Sequence, residues 1–134
     1  QSIAYLAGIY GNHNLNFNTM MNDYNSLYSG AISAGIIKPA SGGVDAALLP
    51  SFADQYFNRV SGITTTAQLS SFIAKGGNNF AIGTYSVGSS TGHAFVITGM
   101  NPTQFTGWDE QNQRPVSVDK NLITNFVAIN GVCP

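Results

Sequence analysis

The stretch STGHAFVITG sets His93 at the start of an apolar run, with Gly92 before it and Ala94 after it. Small neighbours leave room around an imidazole, and a side chain that moves a proton on a substrate needs that room. Sixteen residues on, QFTGWDEQ supplies Asp109. A histidine base is commonly held in one tautomer by a third group, and a carboxylate suits that task. The interval fits one strand out, a turn at Asn101 and Pro102, and one strand back, so the two side chains are expected to meet. Each also has an ordinary alternative. His93 could be satisfied by a loop carbonyl, and Asp109 could bond the backbone of its own turn.

The remaining chemistry-bearing residues are few. Cys133 is the single cysteine, which rules out an internal disulfide or a multi-cysteine metal site, and no metal or cofactor is expected. His13, in the asparagine-rich GNHNLN, reads as solvated surface. Trp108 reads as core packing beside the His93/Asp109 pair or as the wall of a cleft.

The elements that would position the pair follow from periodicity. Ile3, Leu6, Ala7 and Ile9 fall at helical spacing and stop at Gly11. Asn18 or Thr19 can cap a second helix in which Met20, Tyr24, Leu27, Tyr28 and Ala31 share a face, ending near Gly35. A third helical pattern starts at Ser51 and runs through Phe52, Tyr56 and Phe57; Thr66 caps a fourth with Leu69, Phe72 and Ile73. After Asn79 the period becomes two. Strands are expected around Phe80–Tyr85, His93–Thr98, Gln104–Asp109, Pro115–Val118 and Asn125–Asn130, forming an antiparallel meander. On the second of these, Phe95 and Ile97 share the face of His93 while Ala94, Val96 and Thr98 take the other. Helices first and a sheet after them predict an α+β fold.

The 134 residues suit one domain. Charged residues make up 8% of the chain, five basic against six acidic, so there is no basic field for nucleic acid. Fourteen Asn and fifteen Gly give a neutral polar surface of the kind associated with secretion or the cell surface. No apolar stretch reaches the length of a membrane span. QSIAYLAGIYG has no basic region ahead of it, so any signal peptide is expected to be gone already.

GHAFVITG followed by WDEQ resembles the His-then-Asn/Asp part of papain-like cysteine peptidases, most closely the bacterial streptopain-like and bacteriocin-processing branches. The tail VSVDKNLITNFVAING resembles the closing strands of the same sheet. The resemblance covers nearly the whole chain in layout and about ten residues in motif. It implies a papain-like domain over residues 1–134, N-terminal helices packed on a C-terminal antiparallel sheet, and a peptide or protein substrate. His93 would be the base and Asp109 its orienting partner. The family's nucleophile is a cysteine at the start of the first helix, and this sequence has none there. Either SIAYLA matches the CWAFSA type of helix start, putting Ser2 at the nucleophile position, or YLAGIYG matches the later helix and the cysteine precedes Gln1. Gln1 matches the oxyanion-hole glutamine only loosely, because that residue lies several positions before the nucleophile. Cys133 could serve only in a permuted arrangement. A dead papain-like module and an unrelated α+β domain that binds a peptide or protein partner are the alternatives, and oligomeric state is not readable from the sequence.

Overall fold

The computed structural model describes residues 1–12, 14–40, 44–45, 47–86 and 92–132. The chain runs α1 (Ser2–Ile9), α2 (Phe17–Leu27), α3 (Ser29–Ser33), α4 (Leu49–Ala53), β1 (Phe57–Arg59), α5 (Thr66–Ala74), β2 (Phe80–Ser86), β3 (Gly92–Met100), β4 (Gln104–Asp109), β5 (Arg114–Asp119), a single 3-10 turn (Lys120–Leu122) and β6 (Ile123–Val132). This is an α+β arrangement around a six-stranded sheet of order β1-β6-β2-β3-β4-β5, with antiparallel neighbours throughout.

Alternation along the central strands sorts their side chains into two cores. Ile82, Val96, Val127 and Ile129 face α1, α2 and α4, packing on Leu6, Met20, Tyr24 and Phe52. The intervening Ala81, Phe95, Ile97 and Ala128 face α5, packing on Leu69, Phe72 and Ile73. Burial on both faces is why these strands read as nearly continuous apolar runs. Phe95 and Ile97 are fully buried, and each contributes roughly 2–3 kcal/mol of apolar burial.

Several expectations are corrected. Helices and strands are not segregated along the chain, because β1 lies between α4 and α5. The segment Tyr56–Phe57 does not continue a helix: α4 closes in tight turns, Gln55 N to Phe52 O and Tyr56 N to Ala53 O. Phe57 then pairs with Val132, and a strand partner from far along the chain prevails over local helical spacing. The meander covers β2 to β5 only; β6 turns back to pair with β2, not β5. Asn16, not Asn18 or Thr19, caps α2, in a reciprocal box with Thr19. The helix breaks at Tyr28, where ψ swings to 19°, so Leu27 is 50% exposed instead of packing. The cap of α5 is Thr65, one residue before the expected Thr66.

Candidate active site

β3 and β4 position the central pair. Val96 stands opposite Trp108 in their register, which puts those two side chains on one face. Asp109, one residue past Trp108, and His93, three before Val96, therefore both belong to the opposite face. The register slips between Ile97 and Gly99, and Gly107 opposes Ile97 at that bulge. A Cβ on Gly107 would overlap the Val96 carbonyl, so only glycine lets β4 lie this close to β3 immediately before Trp108 and Asp109.

His93 Nε2 lies 2.9 Å from Asp109 Oδ2, with side chains 12% and 3% exposed. The distance is that of a charge-assisted contact, while the N–H direction is off the line to the oxygen, so Nε2 has no well-aligned acceptor. Asp109 is also held by Asn112, whose backbone N–H donates to Oδ1 at 3.1 Å and whose amide Nδ2 donates to Oδ2 at 2.8 Å. Both alternatives for Asp109 thus hold together: it bonds its own turn and faces the histidine.

The electrostatics favour a charged Asp109. Loss of water around the carboxyl pushes its pKa up, but the two Asn112 donors and His93 outweigh that and hold it below the usual carboxylate value. The group is closed over by neighbours yet shallow beneath the surface, which keeps the dehydration cost modest. Tyr85, directly across from His93 in the β2/β3 register, sets its ring edge-on to the imidazole at 5.5 Å. Burial, and then the negative charge of Asp109, raise the Tyr85 pKa against the opposing pull of Arg114, so it stays a phenol.

With Nε2 turned to Asp109, Nδ1 is the ring nitrogen left to exchange a proton with a substrate or nucleophile. His93 lines a cavity of about 520 Å³ whose walls also include Gln1 and Ser2, at the head of α1, together with Met20 and Met21 of α2 and Phe52 of α4. No side chain caps α1, and its first turn closes from Tyr5 N to Gln1 O at 2.9 Å. The earlier N–H groups of that turn precede the helical ladder and are donors without a helical acceptor. No Asp, Glu, Lys or Arg lines the cavity among the described residues.

The structure therefore brings His93 to Asp109 directly, on the sheet face that also carries Tyr85 and Phe95, while Gln1 and Ser2 line a cavity on the α1 face that the β3 stretch Gly92–Ala94 borders. Trp108 also lies on the α1 face, half-buried, stacked on Tyr5 at 5.7 Å with its Nε1 donating to Glu110 Oε2 at 2.8 Å. His13 and Cys133 lie outside the described residues. Among the described residues no group of three or more His, Cys, Asp or Glu is placed to hold a metal ion, and no helix is long and apolar enough to cross a membrane. Sequence reasoning missed Asn112 and Tyr85. An asparagine three residues after an aspartate in a turn is a recognisable signal for the first, while Tyr85 emerges only once the hairpin register is known. The chain matches no family model, no curated protein and no solved structure.

Proposed function

We propose that the chain is the body of a papain-like cysteine peptidase or amide hydrolase, with His93 as general base and acid and Asp109 as its orienting partner. The observation that carries this reading is the 2.9 Å contact of His93 Nε2 with buried Asp109, at a β3 stretch, Gly92–Ala94, that borders the cavity lined by Ser2 at the head of α1. As numbered the chain holds no cysteine at the helix head, so on this reading it is an inactive or incomplete form, and the nucleophile would be a cysteine in the place Ser2 takes or just before Gln1. There the positive end of α1 and the imidazolium favour a thiolate.

The chemistry then runs as follows. His93 takes the thiol proton, and the thiolate attacks the substrate carbonyl carbon. The resulting oxyanion is held by backbone N–H groups at the start of α1. The carbon–nitrogen bond breaks as His93 passes its proton to the departing amine, leaving a thioester. Water, deprotonated by His93, attacks that thioester and releases the acid and the free thiol. Apart from His93 the cavity walls carry no acidic or basic side chain among the described residues, which suits a peptide segment without charged side chains. A serine at position 2 supports a second reading, a peptide-binding module that has lost turnover, because a serine hydroxyl is hardly ionised near neutral pH.

The test places a cysteine at each position in turn, as Ser2→Cys or as one residue added before Gln1. The expected result is a thiol alkylated selectively at mildly acidic pH and cleavage of a peptide library, with both lost in His93→Ala. If neither cysteine reacts faster than Cys133 the hydrolase reading fails, and retained peptide binding then selects the binding module. Cleavage by the unaltered chain that disappears in Cys133→Ser would instead establish the permuted arrangement.

A further inference from the structure

Asn112 is exposed, yet both of its donors converge on a carboxylate that is 2% exposed. Its backbone N–H takes Oδ1 and its Nδ2 takes Oδ2, so one residue fixes the plane of the Asp109 carboxylate. Oδ2 is also the atom 2.9 Å from His93 Nε2. We propose that Asn112 is the positioning residue of the pair, holding Asp109 so that Oδ2 faces Nε2 and the neutral imidazole keeps its lone pair on Nδ1. The inference rests on the acid–base reading of His93 and Asp109, and it assigns the control of that pair to a turn residue.

The surroundings leave Asn112 as the residue holding both carboxylate oxygens. The groups near the Asp109 carboxyl are His93 on β3, Tyr85 on β2, Arg114 opposite it on β5, and Glu110 next in sequence. Glu110 is engaged elsewhere: Oε2 accepts from Trp108 Nε1, and Oε1 and the backbone O accept from Gln113 Nε2. Tyr85 packs against the His93 ring by its edge. Nε2–H points off the line to Oδ2 in this structure, and a carboxylate fixed in plane offers the ring a single oxygen to turn onto, which selects the Nε2–H tautomer. The two Asn112 bonds also keep Asp109 ionised where its partial dehydration alone would favour the acid.

The experiment follows the imidazole nitrogens of His93 and the carboxyl carbon of Asp109 by NMR titration, in the chain as numbered. The unaltered protein should show His93 as the Nε2–H tautomer. In Asn112→Ala the ratio of Nε2–H to Nδ1–H imidazole should fall about threefold or more, and the Asp109 midpoint should rise by about one pH unit. Gln113→Gly is the control: it removes the neighbouring turn amide at a position where φ is 54°, suits that backbone, and should move neither signal. The proposal is overturned if Asn112→Ala moves neither titration, even with a lowered melting temperature, or if Gln113→Gly moves both as far. No turnover is needed, so a chain that proves inert while its titrations stay coupled counts against the hydrolase reading alone.

Discussion

Among the described residues, two of the hollows are of nearly equal size. One, of about 520 Å³, lies under α1, α2 and α4 and reaches His93. The other, of about 560 Å³, is a more open groove beside α5, lined by Val60, Ile63, Phe72 and Lys75 with Asn79 and Asn130. Volume does not separate them. The first lies where a helix begins and where it borders the β3 stretch that carries His93, itself backed by a charged carboxylate; the second has an amine, amides and apolar carbons, with no titratable pair among its walls. A site is made by convergent polar groups whose ionisation is controlled, and space alone supplies none of that.

The hardest way to break the contrast is at Gly107. Any side chain there meets the Val96 backbone, so Gly107→Ala should part β3 from β4, cost about 3 kcal/mol in urea unfolding, and uncouple His93 from Asp109, while the α5 groove keeps its shape. A loss well under half that size would show that the strands can give way, and that the close approach is not what sets the pair.

Asp109→Asn tests the pair itself. In a chain that carries the helix-head cysteine it should lower kcat/KM by about 100-fold, read on a cleaved peptide. The same carboxyl sets an acid limb of stability. Its folded pKa lies below the ordinary 3.8, so the unfolded chain holds the proton more tightly and protonation favours unfolding. The stabilisation is therefore whole above that ordinary value and is lost as pH falls through the lower, folded one. Denaturant midpoints measured below about pH 4 should fall less steeply in Asp109→Asn than in the unaltered protein. Equal slopes would mean that the carboxyl is not held charged by its partners.

The mildest test compares the hollows directly. Met21→Asp puts a charge into the uncharged wall of the first and should raise KM about tenfold with kcat little changed, because an ion there loses water without gaining a partner. Ser71→Asp makes the same insertion in the α5 groove and should leave both constants alone. If the two variants behave alike, the assignment of substrate to the first hollow is wrong.

The strand half of the chain was legible because each of its elements carries its own signal. The run from His93 onward alternates between two buried faces, and the sixteen residues to Asp109 measure a strand, a turn and a strand. What escaped depends on partners distant in sequence. Phe57–Arg59 is too short to announce itself and is a strand only because Val132 and Ile129 lie beside it. That β6 joins β2 instead of β5 is a matter of which apolar faces are left to cover, and local pattern does not record it. The cavity is likewise a relation among α1, α2, α4 and the sheet. The positions of Ser2, Gln1 and His93 around it could be expected only through resemblance to a known layout.

The position of β6 in the sheet bears on how the chain is born. On the ribosome, β2 through β5 can emerge and zip together as neighbours, and α5 precedes them, so the α5 face can close early. The other face has to wait. Val127 and Ile129 complete the core under α1, α2 and α4, and β1 has no partner until β6 is made. Until then a nascent chain carries exposed apolar helices and an unpaired edge on β2, the surfaces that chaperones capture and that stray strands join. The face that holds the cavity is the one whose core translation completes last, and a chain stopped before Ile123 would keep the Tyr5–Trp108 stack and the packing of α1 on Val96 but lack Val127 and Ile129 beside them.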